Sequence, residues 1–121
     1  MEDSHLKPIE KEAVQKLIDG FANQNVYIHL ETTNGAYAVH SGARKTSAGA
    51  FIRNALVTFT EGKIVGNDPY RVGLKMDIGW IYAEGLTDWE LDEMDRLLLA
   101  GHDEEGKLAV ALQISKTPFK I

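Results

Sequence analysis

Residues 26–40 read Val26-Tyr27-Ile28-His29-Leu30-Glu31-Thr32-Thr33-Asn34-Gly35-Ala36-Tyr37-Ala38-Val39-His40. Apolar and polar residues alternate with a period of two, which is the pattern of a half-buried strand. The alternation is broken once, at Asn-Gly, the dipeptide best suited to the positive φ angles of a tight hairpin turn. A two-residue turn at Asn34-Gly35 predicts Thr33 opposite Ala36, Leu30 opposite Val39 and His29 opposite His40. On this reading the chain is a protein of antiparallel hairpins.

The signal continues downstream. The segment Ala50–Gly66, AFIRNALVTFTEGKIVG, reads as a second hairpin turning at Glu61-Gly62, with Phe51, Ala55, Val57 and Phe59 on one face. Gly66-Asn67-Asp68-Pro69 is a turn cluster. Tyr70, Val72, Leu74 and Met76 then alternate as a strand, expected to pair with Gly79–Ala83, whose apolar density predicts a central position covered on both faces. RLLLAGHDEEGKLAVALQI reads as a hairpin turning between Asp103 and Gly106, although residues 96–102 also fit a helical continuation. Its last strand, Leu108–Ile114, carries large residues on one face and small ones on the other.

Two short helices are expected beside the strands. Pro8–Ala22 opens on a proline suited to a first turn and places Val14, Leu17, Ile18 and Phe21 at helical spacing. Thr87 followed by Glu90 matches a capping box, with Leu86 and Leu91 as a hydrophobic staple, so a second helix is predicted from Thr87 to about Asp95. The expected fold class is mainly β, a distorted β-sandwich or incomplete barrel with two short peripheral helices, with α+β as the alternative. Residues 1–121 are expected to form one domain, with a flexible N-terminus expected over 1–7.

Composition narrows the function classes. The 121 residues contain no cysteine, which excludes disulfides, thiolate metal sites and cysteine nucleophiles. No apolar run approaches the roughly 20 residues of a membrane span, and MEDSHLKPIEKE is charged where a signal peptide is apolar. A cytoplasmic protein is therefore expected, with no membrane role. The net charge of −5 argues against a nucleic-acid partner, because phosphate binding relies on excess Lys and Arg. The charge is uneven: basic residues prevail from Gly42 to Lys75, and eight carboxylates face Arg96 alone between Thr87 and Glu105.

Taken in order, VYIHLETTNGAYAVH, AFIRNALVTF, DPYRVGLK, GWIYAEGLT, RLLLAGHDEEGKLAVALQIS and the terminal TPFKI resemble the YojF-like family of small bacillary proteins from about residue 8 to the C-terminus. The resemblance implies a distorted β-sandwich. It also implies a gene context beside a PIG-L-like sugar deacetylase of bacillithiol metabolism, and it carries no residue roles.

Two groups of residues could carry chemistry. His29 and His40, with Glu31 two residues along and Tyr27 behind, would form a pocket or share a divalent metal if the predicted register holds, because facing Cβ atoms lie about 5 Å apart. Arg44, Lys45, Arg53 and Arg71 are candidates for a small-anion site. Gly42-Ala43-Arg44-Lys45-Thr46 lacks the glycine spacing and following helix of a phosphate-binding loop. His102 and the acids after it read as a solvated turn, and the acids from Asp88 to Asp95 as complements to a helix N-terminus. Ser41 and Ser47 have no nucleophile elbow. Arg53 and Arg71, interleaved with Phe51, Tyr70 and Tyr82, are read as core packing with flanking salt bridges. Three functions remain open: a binding or accessory protein, homodimeric through exposed edge strands and acting with the deacetylase; a metal-dependent hydrolase using His29, His40 and Glu31; and a small-anion binder.

Overall fold

The computed structural model describes residues 6–33 and 49–121. Its elements are β1 (Lys7–Pro8), α1 (Lys11–Phe21), β2 (Asn25–Thr33), β3 (Gly49–Gly66), β4 (Tyr70–Met76), β5 (Trp80–Leu86), β6 (Asp88–Leu91), β7 (Leu97–His102) and β8 (Leu108–Ser115). All pairings are antiparallel, and the strands form one sheet in the order β1-β6-β7-β8-β2-β3-β4-β5. The chain is mainly β, and the sheet curls into a half-barrel. One helix is present among the described residues, where two were expected.

The helix forms where its periodicity placed it. Val14, Ile18 and Phe21 are buried in the concave side of the sheet, against Phe59, Ile64 and Leu74 among others. Pro8 is not in its first turn; it pairs with Asp88 in β1. Gln15 fastens the helix to β3: its amide donates to the Gly62 carbonyl at 2.9 Å and accepts from the Ile64 N–H at 3.0 Å. A side-chain amide thus satisfies β3 much as a neighbouring strand would.

That packing explains why Glu61-Gly62 is not a turn. The strand runs unbroken from Gly49 to Gly66, pairing first with β2 and then with β4. A Cβ at Gly62 would overlap the Ile18 side chain and crowd Leu74 and Phe59, so the glycine lets α1 approach and does not reverse the chain. The reversal comes at the second cluster, Gly66–Pro69, with a cis Asp68–Pro69 bond.

The second expected helix is a strand. β6 pairs with β1 and β7, Trp89 is buried, and the Thr87 N–H donates to the Ala100 carbonyl at 2.8 Å. The Thr87 hydroxyl bonds Asp88 and Ala100, not a helical amide. Residues 97–102 are strand β7, and the Asp103–Gly106 reversal into β8 is as predicted. β4 and β5 pair as expected, but β5 is the end of the sheet, and Trp80 and Tyr82 are half exposed. The expectation that β5 is covered on both faces fails because Ile81, Ala83 and Leu86 contact the core while Trp80, Tyr82 and Glu84 are exposed.

Candidate functional site

β2 has neighbours on both edges. Leu30 lies opposite Ile52 of β3 and opposite Leu112 of β8, and Glu31 opposite Phe51 and Ala111. Both edges of β2 beside Leu30 are thus held by β3 and β8, and the pairing predicted between His29 and His40 rests on the segment that follows Thr33. His40 itself, with Arg44 and Lys45, lies outside the described residues.

A β-bulge provides His29 with a neighbour from β3. Ile28 pairs with Ala55 and Leu30 with Ile52, so Arg53 and Asn54 together face the position of His29. Asn54 adopts φ +61° to make the extra residue fit, a conformation that asparagine tolerates better than most residues. The bulge reverses the alternation of β3, which is why Phe51 does not share a face with Ala55, Val57 and Phe59. Phe51 sits with Glu31 on the face bearing His29, and it is exposed.

His29 is buried, and both ring nitrogens are engaged. Arg53 Nη1 lies 3.2 Å from Nδ1, and Glu31 Oε1 lies 3.2 Å from Nε2. A guanidinium only donates, so Nδ1 accepts and Nε2 carries the hydrogen directed at the carboxylate. The Phe51 ring meets the imidazole edge-on at 5.1 Å, and Phe119 closes another side at 6.2 Å. The C-terminal segment seals the group. Arg53 Nε donates to the Lys120 carbonyl at 2.9 Å, and its guanidinium lies over Phe119. Asn54 donates to the Phe119 carbonyl at 2.9 Å and accepts from the Phe119 N–H at 2.7 Å.

Of the candidates, the structure therefore unites His29, Glu31 and Arg53, with Tyr27 half-buried one pleat along the same face. Among the described residues, no group of three or more His, Cys, Asp or Glu side chains is placed to hold a metal ion. A metal at His29 would have to displace Arg53 or Glu31. Arg71 is elsewhere, paired with Glu84 at 3.2 Å and lying over Tyr82. His102 approaches Asp88 at 3.8 Å. The acids near Asp92 serve a turn: the Asp92 carboxylate accepts from the Met94 and Arg96 amides and from Arg96 Nε at 2.6 Å. Burial raises the pKa of Asp92, but those hydrogen bonds and the Arg96 charge outweigh it and hold the group below the usual carboxylate value.

Sequence reasoning missed three features. The role of Phe119 depends on a tail returning across the sheet, which has no local signature. A cleft of about 420 Å³ opens between α1 and the β6–β7 turn, where Leu17, Phe21, Leu91 and Met94 meet Lys16, Lys116 and Asp95. The third is on the outer face of β5: the Trp80 and Tyr82 rings stack at 5.4 Å and 4°, where core packing was expected for Tyr82. Their exposure was hidden because an edge strand and a central one share the same apolar density.

Fold and site together define a small mainly β protein, a curled antiparallel half-barrel whose buried histidine is locked between an acid and an arginine. The chain belongs to the family described as "Protein of unknown function (DUF1806)", whose sequence model matches residues 8–119. It is 54% identical to the uncharacterized protein YojF of Bacillus subtilis (strain 168) over 116 residues, covering 96% of this chain and all of that one. The crystal structure of Bacillus subtilis YojF superposes with a TM-score of 0.82 at 52% sequence identity, covering 98% of this chain and all of that one.

Proposed function

We propose that this chain is a cytoplasmic binding or accessory protein that docks an apolar element of a partner enzyme in the cleft between α1 and the β6–β7 turn. The composition of that cleft carries the reading. Leu17 and Phe21 line it from the helix, and Met94, 60% exposed, stands at the turn. An exposed methionine beside an aromatic ring offers an adaptable apolar contact. Lys16 and Lys116 outnumber Asp95 in the lining, which favours a partner bearing carboxylates around its apolar anchor. The partner that the family resemblance implies is the PIG-L-like sugar deacetylase.

The test is association of the two purified proteins, measured by calorimetry and by deacetylase turnover. Met94→Lys should weaken binding about tenfold, because it places a charge on the apolar contact, while leaving the melting temperature of the exposed turn variant near that of the parent. No association, or equal binding by the variant, would overturn the proposal.

A further inference from the structure

The two ends of the sheet are built differently. β1 is two residues long, and both are of types that discourage pairing: Lys7 is charged and Pro8 has no N–H. β5 runs for seven residues, Trp80-Ile81-Tyr82-Ala83-Glu84-Gly85-Leu86, with neither lysine nor proline. Among the described residues it has a ladder partner on one side only, β4. Its C-terminal end is covered where Gly85 packs on Gly101, so the open part of the edge is its first half. Trp80 (51% exposed) and Tyr82 (52%) lie there, and Ile78 (88%) stands in the turn that precedes them.

The hydrogen-bond phase of that edge is set by the preceding turn. The Met76 N–H donates to the Gly79 carbonyl at 3.0 Å. Alternation along an antiparallel pair then directs the backbone groups of Ile81 and Ala83 toward β4, and those of Trp80 and Tyr82 outward. The residues with open backbone groups are thus the ones with half-exposed rings. Those rings are poorly arranged for a flat ligand. Trp80 and Tyr82 stack on one another, Lys75 lies over Trp80 at 5.9 Å, and Arg71 lies over Tyr82 at 5.5 Å. A stacking ligand would have to displace a ring or a cation, whereas another strand would leave the array intact.

We propose that β5 is the site of self-association, pairing antiparallel with β5 of a second copy about a two-fold axis at Ile81. In this register Trp80 lies opposite the partner's Tyr82, and Tyr82 opposite the partner's Trp80. The outward backbone groups of both strands are satisfied, and two aromatic cross-strand pairs form. No like charges meet across the axis, since Glu84 is the only charged residue of β5 and falls opposite the partner's Ile78. Because the β1 edge is blunted, growth stops at two copies and the assembly is closed. This surface is separate from the cleft proposed for the partner enzyme.

Two measurements on the full chain test this. Sedimentation velocity should show a monomer–dimer equilibrium that shifts with protein concentration. Tyr82→Lys, an exposed substitution that charges the edge, should weaken it about tenfold or more, whereas Met94→Lys should leave it unchanged. Amide exchange on the unaltered protein requires no variant to fold: protection at Trp80 and Tyr82 should rise about tenfold with concentration, and protection at Ile81 and Ala83 should stay constant. A monomer at every concentration, a dimer indifferent to Tyr82→Lys, species larger than dimers, or concentration-independent exchange at Trp80 and Tyr82 would each overturn the proposal. Loss of deacetylase binding with the dimer intact would count against the accessory reading alone.

Discussion

Asn54 has two roles that substitution can separate. Its backbone, at φ +61°, makes the bulge that faces Arg53 toward His29. Its side-chain amide joins both backbone groups of Phe119, holding the C-terminal segment over the imidazole. Asn54→Gly keeps the backbone conformation at no steric cost and loses two hydrogen bonds, so it should destabilise by about 1–2 kcal/mol. Asn54→Ala loses the same bonds and adds about 1 kcal/mol of left-handed strain. Urea unfolding should therefore rank the parent above Gly and Gly above Ala, and an alanine variant equal to glycine would show that the bulge relaxes. Local pattern shows that His29 and Glu31 share a strand face. It cannot show Arg53 beside them, because one extra residue in β3 changes which side chains face that way.

At the level of elements, two turns are built alike from related sequences. Asp92-Glu93-Met94-Asp95-Arg96 joins β6 to β7, and Asp103-Glu104-Glu105-Gly106-Lys107 joins β7 to β8. In each, the first aspartate accepts from the amides two and four residues on. Its N–H donates to the carbonyl of the fifth residue, and the fourth residue has positive φ: +61° at Asp95 and +81° at Gly106. The second turn was legible because glycine marks the left-handed position. The first was read as helix because aspartate stands there instead, and Thr87 with Glu90 imitated a cap. The first helix, β4, and the β7–β8 hairpin were legible because their apolar periods agree with their tertiary surroundings. Asp95→Gly should accordingly raise stability by about 0.5–1 kcal/mol, a few degrees in melting temperature. Asp92 supplies a pH dependence. Its folded pKa lies below its unfolded value of about 3.9, so its contribution is complete above that value and is lost as pH falls through the folded pKa. Asp92→Asn keeps an acceptor oxygen without the charge. The stability difference between parent and variant should be constant near neutrality and shrink as the solution is acidified through about pH 4 toward pH 2.

For the whole molecule, the curl of the sheet depends on how closely its β5 end approaches β7. The tightest point is glycine against glycine: a Cβ built on Gly101 would overlap the Gly85 carbonyl oxygen and approach Val110 Cγ1 at 2.9 Å. Gly101 has no positive φ, so Gly101→Ala introduces no backbone strain of its own and tests contact alone. The obstacle is backbone, held by β5 on one side and β7 on the other, so the strands must separate. A loss of about 2–3 kcal/mol is expected, near 10 °C in melting temperature. Gly73→Ala is the control on the outer face. Its Cβ would meet the Tyr82 ring at 2.9 Å, but that ring is half exposed and can swing away. Stability should change by less than about 1 kcal/mol, while the near-ultraviolet dichroism of the Trp80–Tyr82 stack changes. If Gly101→Ala were tolerated as readily as Gly73→Ala, the half-barrel would be held by the α1 plug and its apolar core, and not by the close contact of its two ends.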